Sequence, residues 1–572
     1  MDDITLCIGG EAGQGLDTMG QLLAKSLVRS GYEILVTQDY MSRIRGGHNS
    51  FTIRTSTRPL RGPADEIHIL AAFTSESIDL LQEKMAAAHL ILASEDVERN
   101  NVDSLLTVPF KDLADKKILF NVVALGCLSG ILGLSQEIGA DMVRSVFGSK
   151  AQNLAEKNLE AFHNGLQWVS EQATSNWHLP RVSPPSAGSR LMLAGSEAVA
   201  LGAMTAGANF CSFYPMTPAT GVALNLAAHD QKLGCIVEQA EDELSAVNMA
   251  IGASFAGAIP IVPTSGGGFT LMGEGISLAG MTETPLTIVL AQRPGPATGL
   301  PTRTEQSDLE LALYSGHGEF PRAIMTPGTP EECFHLTRKA MDLAQRYQSV
   351  SIVITDQFLA DSYRAVPAFD LQSLPSVARP DTSAFPADYA RFQLTASGVS
   401  PRALPGCGPA LVVADSDEHT PDGHITESGQ VRTDMVNKRR HKENGLRQEV
   451  IPPQKSGPDR PDILLLGWGS SKGAMTEAAE ICNGSGMNVG SLHFSQLWPL
   501  DPAQFEHHLQ QAGQVICVEG NAKGQFAALI RQQTGLNVHA GILRYDGRPL
   551  TAAYIVSRLY ALTKEGTHGT KH

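Results

Sequence analysis

The residues best suited to chemistry lie between Ser212 and His317, in three separated loops that offer a hydroxyl, a carboxylate and a guanidinium. The first loop is Tyr214-Pro215-Met216-Thr217-Pro218, where Thr217 supplies the hydroxyl. The second is Val237-Glu238-Gln239-Ala240-Glu241-Asp242-Glu243, whose last acid opens the helix-like stretch from Leu244 to Ala253. The third is Gly299-Leu300-Pro301-Thr302-Arg303-Thr304-Glu305-Gln306. A hydroxyl donates to a carbonyl oxygen, a guanidinium holds a carboxylate through two parallel hydrogen bonds, and a carboxyl holds or passes a proton. Each loop also has a plainer reading. Pro-x-Thr-Pro after an apolar run is a turn that ends a strand. Glu238, Glu241, Asp242 and Glu243 form a charge cluster that complements a helix N-terminus. A single arginine is commonly a surface or ion-pair residue. The residue types alone leave both readings open.

The elements around these loops repeat as strand, loop and helix, and such open α/β sheets bind ligands beyond the carboxyl ends of their strands. The apolar run Ile259–Ser265 enters a glycine-rich turn at Gly266 and Gly267. This central domain is expected over 190–365. A first α/β unit over 1–175 opens with the strand Ile4–Ile8, the turn Gly9–Gly15 and a helix from Leu16 to Val28. Gly13 and Gly15 put free backbone N–H groups at a helix start, which reads either as a seat for a phosphate-bearing group or as a purely structural loop. Their G-x-x-G-x-G spacing reverses the dinucleotide fingerprint. Arg43 and Arg45, beside Gly46-Gly47-His48, read either as guanidiniums for an anionic group or as a docking loop with inter-domain ion pairs. Residues 176–189, with Pro180, Pro184 and Pro185, form a semi-rigid linker. Periodicity fades over 366–458, a connecting excursion whose basic run Lys438–Lys442 reads as a solvated helix face or a subunit contact. A last α/β domain is expected over 459–565. The fold class is thus α/β, in three successive domains.

The bulk properties narrow the function. A net charge of -15 over 572 residues argues against a dedicated nucleic-acid binder and against anionic membrane surfaces. No apolar run approaches a membrane span, and the acidic start Met1-Asp2-Asp3 lacks a signal-peptide pattern, so the cytoplasm is the expected compartment. The eight cysteines are scattered with no Cys-x-x-Cys, which gives neither a zinc knuckle nor a ferredoxin-type cluster site. No metal site is expected in the chain itself.

The order of the three loops resembles the pyrimidine-binding domain of the 2-oxoacid:ferredoxin oxidoreductases. These are thiamine-diphosphate enzymes that oxidatively decarboxylate 2-oxoacids onto coenzyme A. The family's opening motif is usually Tyr-Pro-Ile-Thr-Pro, and here Met216 replaces the isoleucine. The glycine-rich first turn together with Arg43-Ile44-Arg45-Gly46-Gly47-His48 looks like the family's gamma-type domain, fused in front. The last domain is similar to the transketolase C-terminal type, which commonly serves assembly rather than chemistry.

The resemblance implies roles residue by residue. Glu243 would meet N1′ of the aminopyrimidine, and Thr217 would donate to the ketone or carboxylate oxygen of the substrate. Arg303 would hold the C1 carboxylate, with Tyr214 and Thr304 beside the substrate. Pro215, Pro218, Gly266 and Gly267 would line the cofactor, and Gly13, Gly15, Arg43 and Arg45 would serve coenzyme A or another anion. The excursion would be ordered and packed near the site. The Gly-Asp-Gly stretch that holds magnesium and the diphosphate in thiamine enzymes does not occur here. A beta subunit carrying the diphosphate site, Mg2+ and a 4Fe–4S cluster is therefore expected, in an (alpha-beta)2 heterotetramer that reduces ferredoxin. 2-Oxoglutarate, converted to succinyl-CoA and CO2 in either direction, is the first substrate expected; pyruvate and branched-chain 2-oxoacids stay open. Two rival readings are a transketolase-type or lipoamide-linked thiamine enzyme without an iron–sulfur partner, and a non-catalytic assembly subunit.

Overall fold

Continuous apolar runs become the central strands of parallel sheets, because helices cover such strands on both faces. Leu286–Gln292 and Val350–Asp356 are buried at every residue and pair in parallel. The computed structural model describes residues 3–41, 47–97, 103–147, 152–186 and 188–568. The chain divides into two compact units, one of residues 1–193 with 362–369 and one of 194–361 with 370–572.

The first unit is built on an eight-stranded sheet in which Asp3–Glu11 lies between Ile67–Ala72, parallel, and His48–Ser56, antiparallel. Strands Arg190–Ala194 and Tyr363–Pro367 close one side of this sheet, and Tyr363 and Arg364 pair with Val36 and Leu35. The expected boundaries at 190 and 365 therefore fall inside strands of the first sheet. Tyr363–Pro367 covers the otherwise open backbone of Glu33–Asp39, with Arg190–Ala194 outside it, a pairing invisible to local periodicity.

The second unit carries two sheets. The larger has the order 496–498, 322–325, 350–356, 286–292, 260–264, 210–213, 236–239, parallel except for the antiparallel Gln496–Trp498. The smaller has the order 454–456, 489–494, 463–468, 514–519, 540–543, with only Gln454–Ser456 antiparallel. One buried apolar cluster runs through both, from Val262 and Ile288 to Trp468, Phe494 and Phe526. The expected three α/β layers are thus present, and the last two share a core.

The connecting excursion is held by buried cations. Arg391 donates to the carbonyls of Thr282 and Glu283 and to Gln348 Oε1, and the His419 ring meets the Phe392 ring at 3.9 Å, tilted by 41°. It ends in the helix Gly429–Gln448. The basic run on this helix is not the solvated face that its charge predicts. Arg440 and His441 are exposed, but Lys438 and Lys442 are buried against Glu283. Their i,i+4 spacing puts both on the inner face, where a carboxylate from a distant loop meets them.

Candidate active site

Four adjacent parallel strands deliver the three sequence loops to one end of the larger sheet. Phe210–Phe213 leads into Tyr214–Pro218, Ile236–Gln239 leads toward Glu243, Pro260–Thr264 leads into Gly266–Gly268, and Leu286–Gln292 leads into Arg293. Tyr214 and Pro215 are exposed, Thr217 is half-buried and Pro218 is buried. Arg293 Nη1 donates to the Thr217 carbonyl at 2.8 Å, which ties the first loop to the end of Leu286–Gln292, two strands away in the sheet.

The acidic cluster divides into two roles. Asp242 caps the helix Glu243–Phe255 by accepting from the Ser245 N–H at 2.7 Å, so the helix-start reading holds for it. Glu238 and Glu241 are exposed. Glu243 is 4% exposed, and its Oε1 is buried with no hydrogen-bond partner among the described residues. Gly268 makes that position available, since a Cβ there would come within 2.5 Å of Glu243 Oε1. A buried carboxylate oxygen left unmatched is unfavourable. That oxygen is available to a hydrogen-bond donor.

A second carboxyl, that of half-buried Asp308, flanks the same glycine turn. Any side chain at Gly266 would overlap the Asp308 carboxylate, whose Oδ2 also lacks a partner among the described residues. Burial pushes the Asp308 carboxyl up to about 6, helped by Glu305 and opposed by Arg293. Gln292 Oε1 fixes its backbone by accepting from the Asp308 N–H at 2.9 Å. Gly267 is exposed.

On the third loop, Arg303 is half-buried and its stem packs on Gly547. Thr304 is buried; its hydroxyl accepts from the Phe358 N–H at 3.2 Å and bonds the Asp356 carboxyl. That hydroxyl is engaged with the interior of the unit. Sequence reasoning missed Arg293, Asp308, Gln306 and Gly268. Gly268 left a signal as the third member of a glycine triplet, and Gln306 as the last residue of the third loop.

In the first unit, Gly13 and Gly15 line a cavity of about 880 Å³ together with Phe73, Phe110, Lys117 and Asn121. Gly15 precedes the helix Leu16–Ser30 with φ 75°, a conformation that favours glycine. Asn121 packs directly on Gly15, and its Oδ1 is buried without a partner among the described residues. Phe73, Phe110 and Phe120 stack in series at 6.1 and 5.3 Å. Arg43 and Arg45 lie outside the described residues.

No group of three or more His, Cys, Asp or Glu positioned to hold a metal ion occurs among the described residues. No helix among them is long and apolar enough to cross a membrane.

Residues 201–438 match the family described as pyruvate flavodoxin/ferredoxin oxidoreductase, thiamine diP-bdg, and residues 5–168 match pyruvate ferredoxin/flavodoxin oxidoreductase. The 2-oxoacid:ferredoxin oxidoreductase subunit alpha of Sulfolobus sp is 31% identical, over 98% of this chain and 97% of the relative. The 2-oxoglutarate oxidoreductase subunit KorA of Mycobacterium tuberculosis is 27% identical, over 93% of this chain and 87% of the relative. Among solved structures, the 2-oxoglutarate:ferredoxin oxidoreductase from Magnetococcus marinus, with 2-oxoglutarate, coenzyme A and succinyl-CoA bound, superposes with a TM-score of 0.91. It is 30% identical, over 98% of this chain and 99% of that one. On near-full-length similarity and a shared fold, the chain belongs to the 2-oxoacid:ferredoxin oxidoreductase alpha subunits.

Proposed function

We propose that this subunit uses 2-oxoglutarate, coenzyme A and ferredoxin, and that its thiamine site is completed by a second subunit. The observation that carries the reading is Glu243: a buried carboxyl at a helix start, one oxygen unmatched, with Gly268 cleared away from it. These residues fit the aminopyrimidine of thiamine diphosphate, whose ring nitrogen supplies the missing partner. When bound, the cofactor supplies the nucleophilic carbon and the electron sink that decarboxylation needs.

The chain's own residues then do three things. Glu243 holds and passes a proton at the ring nitrogen, within a pocket that Pro215, Pro218, Gly266 and Gly267 border. Thr217 donates its hydroxyl to a substrate oxygen from a turn whose carbonyl Arg293 holds. Arg303 clamps the C1 carboxylate, and its planar pair of donors sets the orientation of the acid. Tyr214 lies exposed at the mouth of the first loop. Coenzyme A is assigned to the first-unit cavity, where stacked phenylalanines suit an adenine, and Lys117 and the Gly13–Gly15 turn suit phosphate.

The second subunit is assigned the diphosphate, Mg2+ and the iron–sulfur cluster, in an (alpha-beta)2 assembly. Support comes from the missing Gly-Asp-Gly stretch and from apolar side chains left exposed on the site's own elements. Leu224 and Ile236 are 60% and 62% exposed, and Leu244 and Leu271 are exposed beside Glu243 and the glycine turn. 2-Oxoglutarate is supported by what the Magnetococcus marinus structure contains and by the name of the Mycobacterium relative.

The test is co-purification with the second subunit, followed by dye reduction with a panel of 2-oxoacids and coenzyme A. 2-Oxoglutarate should give the highest kcat/KM, and the isolated chain should show no micromolar calorimetric binding of thiamine diphosphate with Mg2+. A different 2-oxoacid in first place would overturn the substrate, and tight binding by the isolated chain would overturn the divided site.

A further inference from the structure

The loop that carries Arg303 has no helix or strand of its own between Gly299 and Ser307, yet Thr304, Gln306 and Ser307 are bonded to the smaller-sheet region. Gln306, 2% exposed, commits all four of its polar groups to the smaller sheet of the same unit. Its N–H donates to the Gly520 carbonyl at 2.6 Å, and its Oε1 accepts from the Gly520 N–H at 2.9 Å. Its Nε2 donates to the Trp468 carbonyl at 3.0 Å, and its carbonyl accepts from Asn521 Nδ2 at 3.1 Å. Thr304 N–H donates to the Gly547 carbonyl at 3.2 Å, and Gln525 Nε2 donates to the Ser307 carbonyl at 2.8 Å. The attachment points are the ends of strands Ile463–Trp468 and Gln514–Glu519 and the start of helix Gln525–Thr534. They are themselves fixed: buried Glu519 accepts from Asn521 Nδ2 at 2.8 Å and from the N–H groups of Phe526 and Ala527 at 2.8 and 3.0 Å.

A loop needs no such set of buried bonds merely to connect two elements, because a surface connection satisfies its backbone with water. Here a single glutamine reads the register of two strand ends and transmits it to an arginine three residues away. We infer that the smaller sheet is the positioning frame for Arg303, and that Gln306 is the residue through which it sets recognition of the substrate carboxylate. The inference rests on the reading of Arg303 as the carboxylate clamp. It gives the last α/β layer a part in substrate selection, beyond the assembly role that its resemblance implies.

The test is a double-mutant cycle in the complex assembled with its second subunit. Gln306→Leu should raise KM for the 2-oxoacid about tenfold, with kcat and KM for coenzyme A within about twofold, the effect of losing one strong buried hydrogen-bond set. In an Arg303→Ala background the same change should shift KM by less than about twofold, because a residue acting through another adds nothing once that residue is gone. Gln306→Asn is the second variant, should the leucine form fail to assemble. It keeps the amide but is one methylene too short to bridge Gly520 and Trp468, and the same KM-weighted loss is expected. An unchanged KM in a folded Gln306→Asn complex, or additive losses in the double variant, would overturn the positioning role alone. An Arg303→Ala complex with normal KM would instead overturn the parent reading of Arg303.

Discussion

Glu243 and Glu283 sit in the same unit, each at most 4% exposed, and the chain treats their charges in opposite ways. Glu283 is met by Lys438 Nζ at 2.5 Å and by Lys442, with the Arg391 guanidinium donating to its backbone carbonyl. Burial alone would push its carboxyl up; the lysines outweigh that and hold it below the usual carboxylate range. Glu243 has no such lysines and keeps one oxygen unmatched among the described residues. Asp308, on the other side of the Gly266–Gly268 turn, resembles Glu243 in this respect. Glu283 is thus neutralised by its own chain, whereas Glu243, on the proposed reading, is left for a ligand to complete.

The comparison breaks first at Glu283. Glu283→Ala leaves two buried lysines facing each other, and should lower stability by about 3–5 kcal/mol, measured by denaturant titration. Glu243→Gln should change stability by less than about 1 kcal/mol in the same assay, since no counter-charge is abandoned. If the two substitutions prove equally destabilising, the distinction between them fails.

The next effect belongs to Arg303. Arg303→Ala should lower kcat/KM for the 2-oxoacid by about 2–4 kcal/mol of transition-state stabilisation, and Arg303→Lys should restore only part of it. Steady-state kinetics at fixed coenzyme A decide this, and full rescue by lysine would argue against a planar, two-donor clamp.

The smallest effect sharpens the pairing of Glu243 with Asp308. Because burial raises the Asp308 carboxyl, the folded state binds its proton more tightly than the unfolded chain does. Stability is therefore gained as pH falls through about 6 toward the unfolded carboxylate range, and lost again above it. Asp308→Asn should remove that gain, so wild type should improve on the variant by on the order of 1 kcal/mol between pH 8 and pH 5. Parallel pH-stability curves for the two proteins would show Asp308 ionising freely.

How far the sequence carried this picture depends on the reach of each signal. The three loops and the glycine turn were legible, because strand ends in a parallel sheet place such segments together. Thr217 and Glu243 fall on adjacent strand ends for that reason. The acidic cluster was ambiguous by nature: Asp242 and Glu243 are neighbours, yet one caps the helix and the other turns inward. Lys438 and Lys442 misled because a basic helix stripe looks solvated until its partner, Glu283, is brought in from a distant loop. The role of Gln306 was invisible for the same reason, since its partners Trp468, Gly520 and Asn521 lie at the strand ends of the smaller sheet. The strands Arg190–Ala194 and Tyr363–Pro367 hid their membership of the first sheet because pairing across an edge leaves no local pattern.

The central claim is that Glu243 was left open so as to exchange a proton with the cofactor, and hydrogen–deuterium exchange at thiamine C2 tests it most directly. In the assembled complex, Glu243→Gln should preserve fold and assembly while slowing that exchange at least about a hundredfold, the scale of general acid–base help. Exchange at the wild-type rate would contradict the account, and would return Glu243 to the helix-start charge cluster with Asp242.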